Sequence, residues 1–269
     1  MYCFNIILTE RCNARCSHCY MGDSKNSLKS LTKQQIHKII KKLPEETEKI
    51  VFTGGEIFIE KDLLMYAINE VNILKRSIEI ELETNGIYFY KDNTLKKMLE
   101  FNHKISAIRF SDDPFHKFGG IDLEKVRGLK RFQEQVDYQI KYLVQDKALN
   151  IGKANKLDSN FIKIGNCMNT IATKKRPYFF LDIEGNIYLC PWKLTPAIGN
   201  IYLEEMNSIL KKLEEPFYEK ILIGEIETAF SIKNKKLGEY KNYTKKFGQC
   251  MLCKKLHKEN IEIEKKPQS

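Results

Sequence analysis

The 269-residue chain reads as an α/β protein with parallel strands, followed by a smaller α+β domain. Three observations predict this. Over the first half, short strand-like runs alternate with amphipathic helical patterns, five strands to four helices. Such alternation implies parallel strands joined by right-handed crossovers. Polar or glycine-bearing motifs stand directly after four of those strands, where parallel α/β folds bind their ligands. Near residue 158 the alternation stops and a hairpin signal with lysine-rich segments takes over.

Each element follows from local pattern. CFNIIL at 3–8 is an apolar strand that ends in a cysteine-rich loop. Residues 32–43 place Ile36, Ile39, Ile40 and Leu43 on one helical face, with Thr32 as N-cap. KIVFTGG at 49–55 is strand then loop, and 61–74 repeats Leu64, Ala67, Ile68 and Val71 at helical spacing. A strand over 77–82 ends in ETNG, a helix is expected at 93–101, and a strand at 105–110 ends in SDDP. A helix at 123–133 and a strand at 138–144 lead towards IGKAN at 151–155. In the second half, 179–183 and 186–189 flank Glu184-Gly185 as a hairpin. Helix is expected at 204–214 and onward to Cys250, with a frayed tail after 259.

Composition bounds the function class. No apolar run reaches the roughly 18 residues of a membrane span. The run at 4–8 is too short for a signal peptide and has no basic segment before it, so a cytoplasmic protein without a membrane partner is expected. Eight cysteines in such a chain argue for metal or redox chemistry rather than a disulfide framework. The net charge of +10 is lysine spread along the chain, which reads as a solvated surface; the other reading is attraction to an anionic partner. No nucleic-acid motif accompanies it, so nucleic acid is not an expected partner.

TERCNARCSHCYMG at 9–22 sets Cys12, Cys16 and Cys19 in the spacing C-x3-C-x2-C. Three thiolates hold three corners of a [4Fe–4S] cube and leave one iron open, and an open position is what catalysis needs. Structural zinc is the alternative; it needs a fourth ligand, and His18 is adjacent. Spacing alone leaves both open. The context, a first strand before this loop and Gly54-Gly55-Glu56 after the second strand, resembles the radical S-adenosylmethionine (radical SAM) enzymes. His18 stands where that family usually carries an aromatic, a packing position. The resemblance covers the first half and implies a partial (β/α) TIM-like barrel of about five parallel strands over 1–157.

The resemblance also implies the chemistry. Cys12, Cys16 and Cys19 would hold a [4Fe–4S] cluster whose open iron binds the amino and carboxylate groups of SAM. Gly54 and Gly55 would let backbone approach that amine, with the charge of Glu56 nearby. SAM cleavage would yield a 5′-deoxyadenosyl radical that takes hydrogen from a substrate C–H bond, the protein positioning the substrate. Softer matches put Ser111 and Asp113 at the SAM ribose, Asn85 in the same pocket, and Tyr20 and Lys153 of Gly152-Lys153-Ala154 near the adenine. For Asn85 and Asp113, turn chemistry is the plain alternative. His116 is either a general base for substrate oxidation or the cap of a turn. Arg109 can pair with Glu81 or Glu83.

Four more cysteines, Cys167, Cys190, Cys250 and Cys253, lie in the second half. Gly185-x4-Cys190-Pro191 followed by IGNI at 198–201 resembles the SPASM/Twitch extension of radical SAM enzymes, which implies a second, auxiliary [4Fe–4S] domain over 158–269 in the shorter Twitch form. The gap from Cys167 to Gly185 is slightly longer than the usual pattern. Zinc is the alternative, since Cys250-x2-Cys253-x3-His257 has zinc spacing. Cys3 is expected as a small buried apolar residue, and Trp192 as packing.

Three function classes follow. The first is a radical SAM enzyme that modifies a ribosomally made peptide by oxidation, cross-linking or epimerisation. The second dehydrogenates a small-molecule alcohol such as an aminocyclitol. Both imply an external electron donor such as flavodoxin or ferredoxin. The third is a zinc protein that binds nucleic acid through its lysines.

Overall fold

The computed structural model describes residues 1–19, 29–91, 105–117, 119–131, 139–144 and 177–234, with 240, 242, 250, 252, 253, 255 and 256. Two compact units emerge, one spanning Cys3–Phe161 and the other Ile162–Ser269 with Met1–Tyr2. Each stands on its own core.

The Cys3–Phe161 unit is built on five strands, β1 (Tyr2–Thr9), β2 (Thr47–Gly54), β3 (Glu79–Thr84), β4 (Ile105–Asp112) and β5 (Gln139–Val144), in the spatial order β5-β4-β3-β2-β1. The pairs β2–β3, β3–β4 and β4–β5 are parallel. Between the strands lie α1 (Lys33–Lys42), α2 (Lys61–Ile73), α3 (Ile87–Lys91), α4 (Pro114–Lys117) and α5 (Leu123–Gly128). The mostly parallel sheet is not closed among the described residues. The α/β architecture is the one that the strand–helix alternation implies. The short α3 and α4 are additions, too brief to show a helical period. The helix expected at 93–101 lies outside the described residues.

α1 starts where the pattern places it. Thr32 Oγ1 accepts from the Gln35 N–H at 3.1 Å and Gln35 Oε1 accepts from the Thr32 N–H at 2.8 Å, a reciprocal cap that satisfies two otherwise orphaned donors. Ile36, Ile39 and Ile40 are its buried stripe.

The two faces of the sheet differ, as strand periodicity requires. Ile50, Phe52, Ile80, Leu82, Ile108 and Phe110 are buried. Behind Phe110 the rings of Phe58, Phe89, Phe110 and Tyr142 meet in succession, the first two contacts edge-on at 4.9 and 5.0 Å. Arg127 of α5 clamps Asp112 through Nε at 2.9 Å and Nη2 at 2.8 Å. The alternate positions carry charge. Lys49 of β2, Glu81 and Glu83 of β3, Arg109 of β4 and Lys141 of β5 form a ladder in which Glu81 binds Lys49 (2.9 Å), Lys141 (3.1 Å) and Arg109. Arg109 also meets Glu83 at 3.2 Å. Its partners therefore sit on the adjacent strand, where register aligns Glu83 with Arg109.

The second unit carries β6 (Tyr178–Leu181), β7 (Asn186–Tyr188), β8 (Gly199–Asn200), α6 (Met206–Lys211), α7 (Pro216–Leu222) and α8 (Ile226–Asn234). β6–β7 and β7–β8 are antiparallel. The hairpin expected around Glu184-Gly185 is present, with Gly185 at φ +84°. Asp182 accepts from the N–H groups of Glu184 (3.1 Å) and Asn186 (2.9 Å) to close the turn. Phe217 and Phe230 pack edge-on at 5.4 Å between α7 and α8. Among the described residues no helix is long and apolar enough to cross a membrane.

Glu81 is 1% exposed. Burial alone would raise its pKa, but the Lys49 hydrogen bond, the Arg109 charge and the Lys141 hydrogen bond hold it below the ordinary 4.5. A depressed carboxyl contributes stability above its unfolded pKa and loses it as pH falls through the lower folded value. Glu81→Gln, which strands three cations, is expected to cost about 2 kcal/mol at neutral pH and to flatten the acid limb of stability. Chemical denaturation at pH 3 to 7 checks both: the deficit of the variant should shrink as the buffer is acidified.

Candidate active site

The site forms where β1, β2, β3 and β4 end. The root of the cysteine loop is tied down first. Thr9 Oγ1 and Ser30 Oγ lie 2.7 Å apart, Ser30 Oγ donates to Glu60 Oε1 at 2.8 Å, and Arg11 Nη1 donates to the same oxygen at 2.7 Å.

The loop then lies against the turn after β2. Gly55 N–H donates to Thr9 O and Glu56 N–H to Arg11 O, both at 2.8 Å. A Cβ on Gly54 would stand 2.2 Å from Thr9 O, and one on Gly55 2.3 Å from Arg11 O. Gly54 also holds φ +148°. The two glycines are thus needed by the cysteine loop itself, a closer reason than the approach to a ligand amine that the sequence suggested.

Glu56 turns away from the loop into the protein. It is 0% exposed and accepts from Thr84 Oγ1 (2.8 Å), the Asn85 N–H (2.9 Å) and the Phe58 N–H (3.1 Å). Burial pushes its carboxyl up to about 7 against these donors. Its side chain ties β2 to the end of β3. Asn85 follows, with Oδ1 accepting from the Ile87 N–H at 3.0 Å and Nδ2 donating to Asn13 Oδ1 at 2.9 Å. Gly86, at φ +81°, completes the turn beneath Val126 and Phe110.

On the other side the segment after β4 closes on the loop. Asp113 is buried. Its Oδ1 caps α4 by accepting from the N–H groups of Phe115 (3.0 Å) and His116 (3.1 Å). Its Oδ2 lies 2.7 Å from His116 Nδ1 and 3.6 Å from His18 Nε2. The His18 ring packs on His116 at 4.8 Å and on Phe115 at 5.0 Å. Burial lowers the His18 pKa, partly offset by Asp113. His18 thus lies in an aromatic and carboxylate nest, and His116 sits in the turn with Asp113 fixing its ring. Ser111 is half-buried on the face of β4 that carries Arg109. The Arg15 N–H donates to Gly119 O at 3.2 Å, and a Cβ on Gly119 would stand 2.9 Å from Cys16 Sγ.

The donor set fits a cationic cluster. Cys16 is buried, and its thiol is pushed up to about 12 by burial and then by the neighbouring Cys12 and Cys19 sulfurs and Asp113. Thiols raised by burial and by the sulfurs beside them, as Cys12 and Cys16 are, are a poor set of thiolates alone and a good set around iron. Cys12 Sγ also accepts from the Ala14 N–H at 3.4 Å and Asn85 Nδ2 at 3.8 Å.

Comparison with known proteins gives the family. Residues 6–137 match the Radical SAM superfamily model. This stretch is a radical SAM domain. The family implies a [4Fe–4S] cluster and SAM at the site described. A Bacillus subtilis (strain 168) protein provisionally named for peptide biosynthesis, YydG, is 28% identical over 119 residues, 42% of this chain and 36% of its own length. A GTP 3′,8-cyclase of Haemophilus influenzae (strain PittEE) is 30% identical over 138 residues, 48% of this chain and 40% of its own. This chain therefore spans well under half of either relative. The crystal structure of BtrN in complex with AdoMet and 2-DOIA superposes with TM-score 0.56 at 16% identity, covering 83% of this chain and 87% of that one. The structure of anSMEcpe with bound AdoMet and Cp18Cys peptide does so at 0.54 and 15%, covering 81% of each. At these identities the likeness is one of fold.

A second thiol set lies in the Ile162–Ser269 unit. Cys190, Cys250 and Cys253 are all buried. Burial raises Cys190 to about 11, with backbone hydrogen bonding from the residues just after it working against burial, and the Lys193 N–H donates to Cys190 O at 3.0 Å. Cys250 is raised to about 12 by burial and by the Cys190 sulfur, which places those two together. Cys3 is buried in β1. Tyr20, Lys153, Cys167 and His257 lie outside the described residues.

Sequence reasoning missed Thr84, Asn13 and Gly119. Thr84 had a signal, a hydroxyl at a strand position whose neighbours on that face are apolar. Gly119 had only a glycine pair, which marks a turn and not what the turn touches.

Gly55→Ala is expected to cost about 1–3 kcal/mol, since the clash is with backbone and cannot be relieved by a rotamer. A thermal melt of the two proteins tests it; an unshifted midpoint would break the seam assignment.

Proposed function

We propose that this radical SAM protein oxidises an unactivated C–H position in a ribosomally made peptide, with an auxiliary [4Fe–4S] cluster held by Cys190, Cys250, Cys253 and Cys167. The observation that carries the oxidative part is a buried Cys190 thiol with the Cys250 sulfur beside it and Cys253 buried as well. Clustered buried thiols suit a metal group better than they suit bare thiolates. Peptide as substrate is supported by the YydG likeness and by the fold shared with the peptide complex of anSMEcpe. A small-molecule alcohol is the second reading, favoured by the fold shared with BtrN.

When bound, the open-site cluster and SAM supply a 5′-deoxyadenosyl radical that takes the substrate hydrogen. The chain's own residues do the rest. Cys12, Cys16 and Cys19 hold the first cluster. Ser111, on the inner face of β4, and Arg109 beside it stand where substrate or ribose would lie. His116, its Nδ1 turned to Asp113, keeps Nε2 as the basic nitrogen for a substrate proton. Cys190, Cys250, Cys253 and Cys167 would hold the auxiliary cluster, which would supply an acceptor for the remaining substrate electron, and an external donor such as flavodoxin or ferredoxin would re-reduce the first. By the family resemblance, Tyr20 and Lys153 would serve the adenine. The lysine-rich surface suits an acidic peptide segment.

Anaerobic reconstitution decides first between cluster sets. About eight irons per chain are expected, two cubanes; about four with one zinc would remove the auxiliary electron acceptor, and zinc alone would sink the reading. Cys12→Ala, Cys16→Ala or Cys19→Ala should abolish reductive SAM cleavage. Cys250→Ala or Cys253→Ala should leave SAM cleavage without substrate largely intact while product formation stops, followed by mass spectrometry of candidate peptides and alcohols.

A further inference from the structure

Asn85 has its backbone N–H and both ends of its side-chain amide committed. Its N–H donates to Glu56 Oε2 at 2.9 Å and its Oδ1 accepts from the Ile87 N–H at 3.0 Å. The second contact fixes which end of the amide is oxygen, since only the oxygen can accept from an N–H. Nδ2 must then face the cysteine loop. It donates to Asn13 Oδ1 at 2.9 Å and reaches Cys12 Sγ at 3.8 Å. The residue is 5% exposed, and Glu56, which anchors its backbone, is fully buried. The amide is therefore held in place and cannot swing without breaking its bonds to the Ile87 N–H and Asn13 Oδ1.

We propose that Asn85 is a positioning residue that donates an N–H···S hydrogen bond to Cys12 and thereby raises the reduction potential of the cluster bound there. The inference rests on the reading of Cys12, Cys16 and Cys19 as cluster ligands and deepens it. Reduction adds negative charge that spreads onto the ligating sulfurs. A donor aimed at one of them stabilises the reduced state more than the oxidised one, and hydrogen bonds to sulfur are among the levers that set such potentials. The Ala14 N–H, also on Cys12 Sγ at 3.4 Å, is backbone and common to any residue there. The Asn85 amide is the side-chain contribution, and it comes from β3 rather than from the loop. It joins the loop, through Asn13 and Cys12, to the same turn that Glu56 holds. Both donors of the amide are spent on the loop, so Asn85 acts on the cluster side of the pocket rather than on the SAM ribose or adenine.

Two variants separate this role from the turn. Asn85→Asp keeps an oxygen for the Ile87 N–H and replaces the donor by an acceptor. Asn85→Ala loses both. The full chain is reconstituted anaerobically, its iron counted and its fold checked by circular dichroism. The midpoint potential is then read by redox titration followed by electron paramagnetic resonance, without SAM or substrate. Both variants are expected to shift to more negative potential, Asn85→Asp further because it also adds charge. Iron loss to a chelator should quicken about tenfold. An unshifted potential in a folded, fully loaded Asn85→Asp overturns the proposal. So does a shift in Asn85→Ala alone, which would assign the residue to the Ile87 turn. Should Asn85→Asp fail to fold, the potential of Asn85→Ala decides alone, an unshifted value overturning the proposal. A wild-type chain that takes up no iron overturns the parent reading, and the iron count shows this before any potential is measured.

Discussion

The seam between Thr9–Arg11 and Gly54–Glu56 fixes almost everything around it. Two backbone hydrogen bonds of 2.8 Å join the segments, and they form only because neither glycine brings a Cβ into the gap. A glycine pair is costly in conformational entropy. Here it lets one backbone lie directly on another. The loop carrying Cys12 then starts from a rigid edge of the sheet. Glu56 extends that edge by binding Thr84 and Asn85. Three strand ends are thereby locked in a row before any side chain of the loop makes a contact.

The opposite wall is built differently. There the loop meets a carboxylate and two imidazoles rather than a backbone ladder. Asp113 serves α4, His116 and His18 together. A single acid with three classes of partner makes this wall dependent on one ionised group. The Gly119 contact with Cys16 repeats a feature of the other wall, a glycine where backbone comes too close to the cysteine loop for a Cβ.

Much of the fold was legible because periodicity is a local property. α1 and its Thr32 cap, the strands around residues 50 and 108, and the Glu184-Gly185 turn follow from patterns only a few residues long. α3 and α4 were invisible, since four or five residues show no period. The site was legible as a set of residue types after strands, but their tasks were less so. Glu56 reads in sequence as a charge for a ligand; in space it is a buried tie between strands, because the donors around it come from β3 and from the turn after it. Arg109 pairs with both partners that the sequence offered, Glu81 and Glu83, because β3 lies beside β4 and parallel register sets Glu83 opposite it. Asp113 and His116 could each have been turn residues or ligands; three residues of separation in a single helical turn made them partners of each other. What sequence does not carry is direction, which depends on which strand lies alongside.

The two thiol sets place different demands on the protein. Cys12, Cys16 and Cys19 lie within eight residues of one another, so bringing their sulfurs together closes only short loops, and the fold's work is to supply the walls. Cys190 and Cys250 are sixty residues apart. Their meeting closes a long loop, whose entropic cost grows with length, and buries thiols that burial alone keeps protonated. The Cys190 end is a tight turn, with the Lys193 N–H donating to Cys190 O at 3.0 Å, a local arrangement that needs no residue from further along the chain. A metal group at this second set would therefore draw on a preformed half and a half that only the folded α-helical segment delivers. Its binding free energy would appear as folding free energy of the Ile162–Ser269 unit, whereas the first set would bind on a scaffold that the Gly54–Gly55 seam already holds rigid.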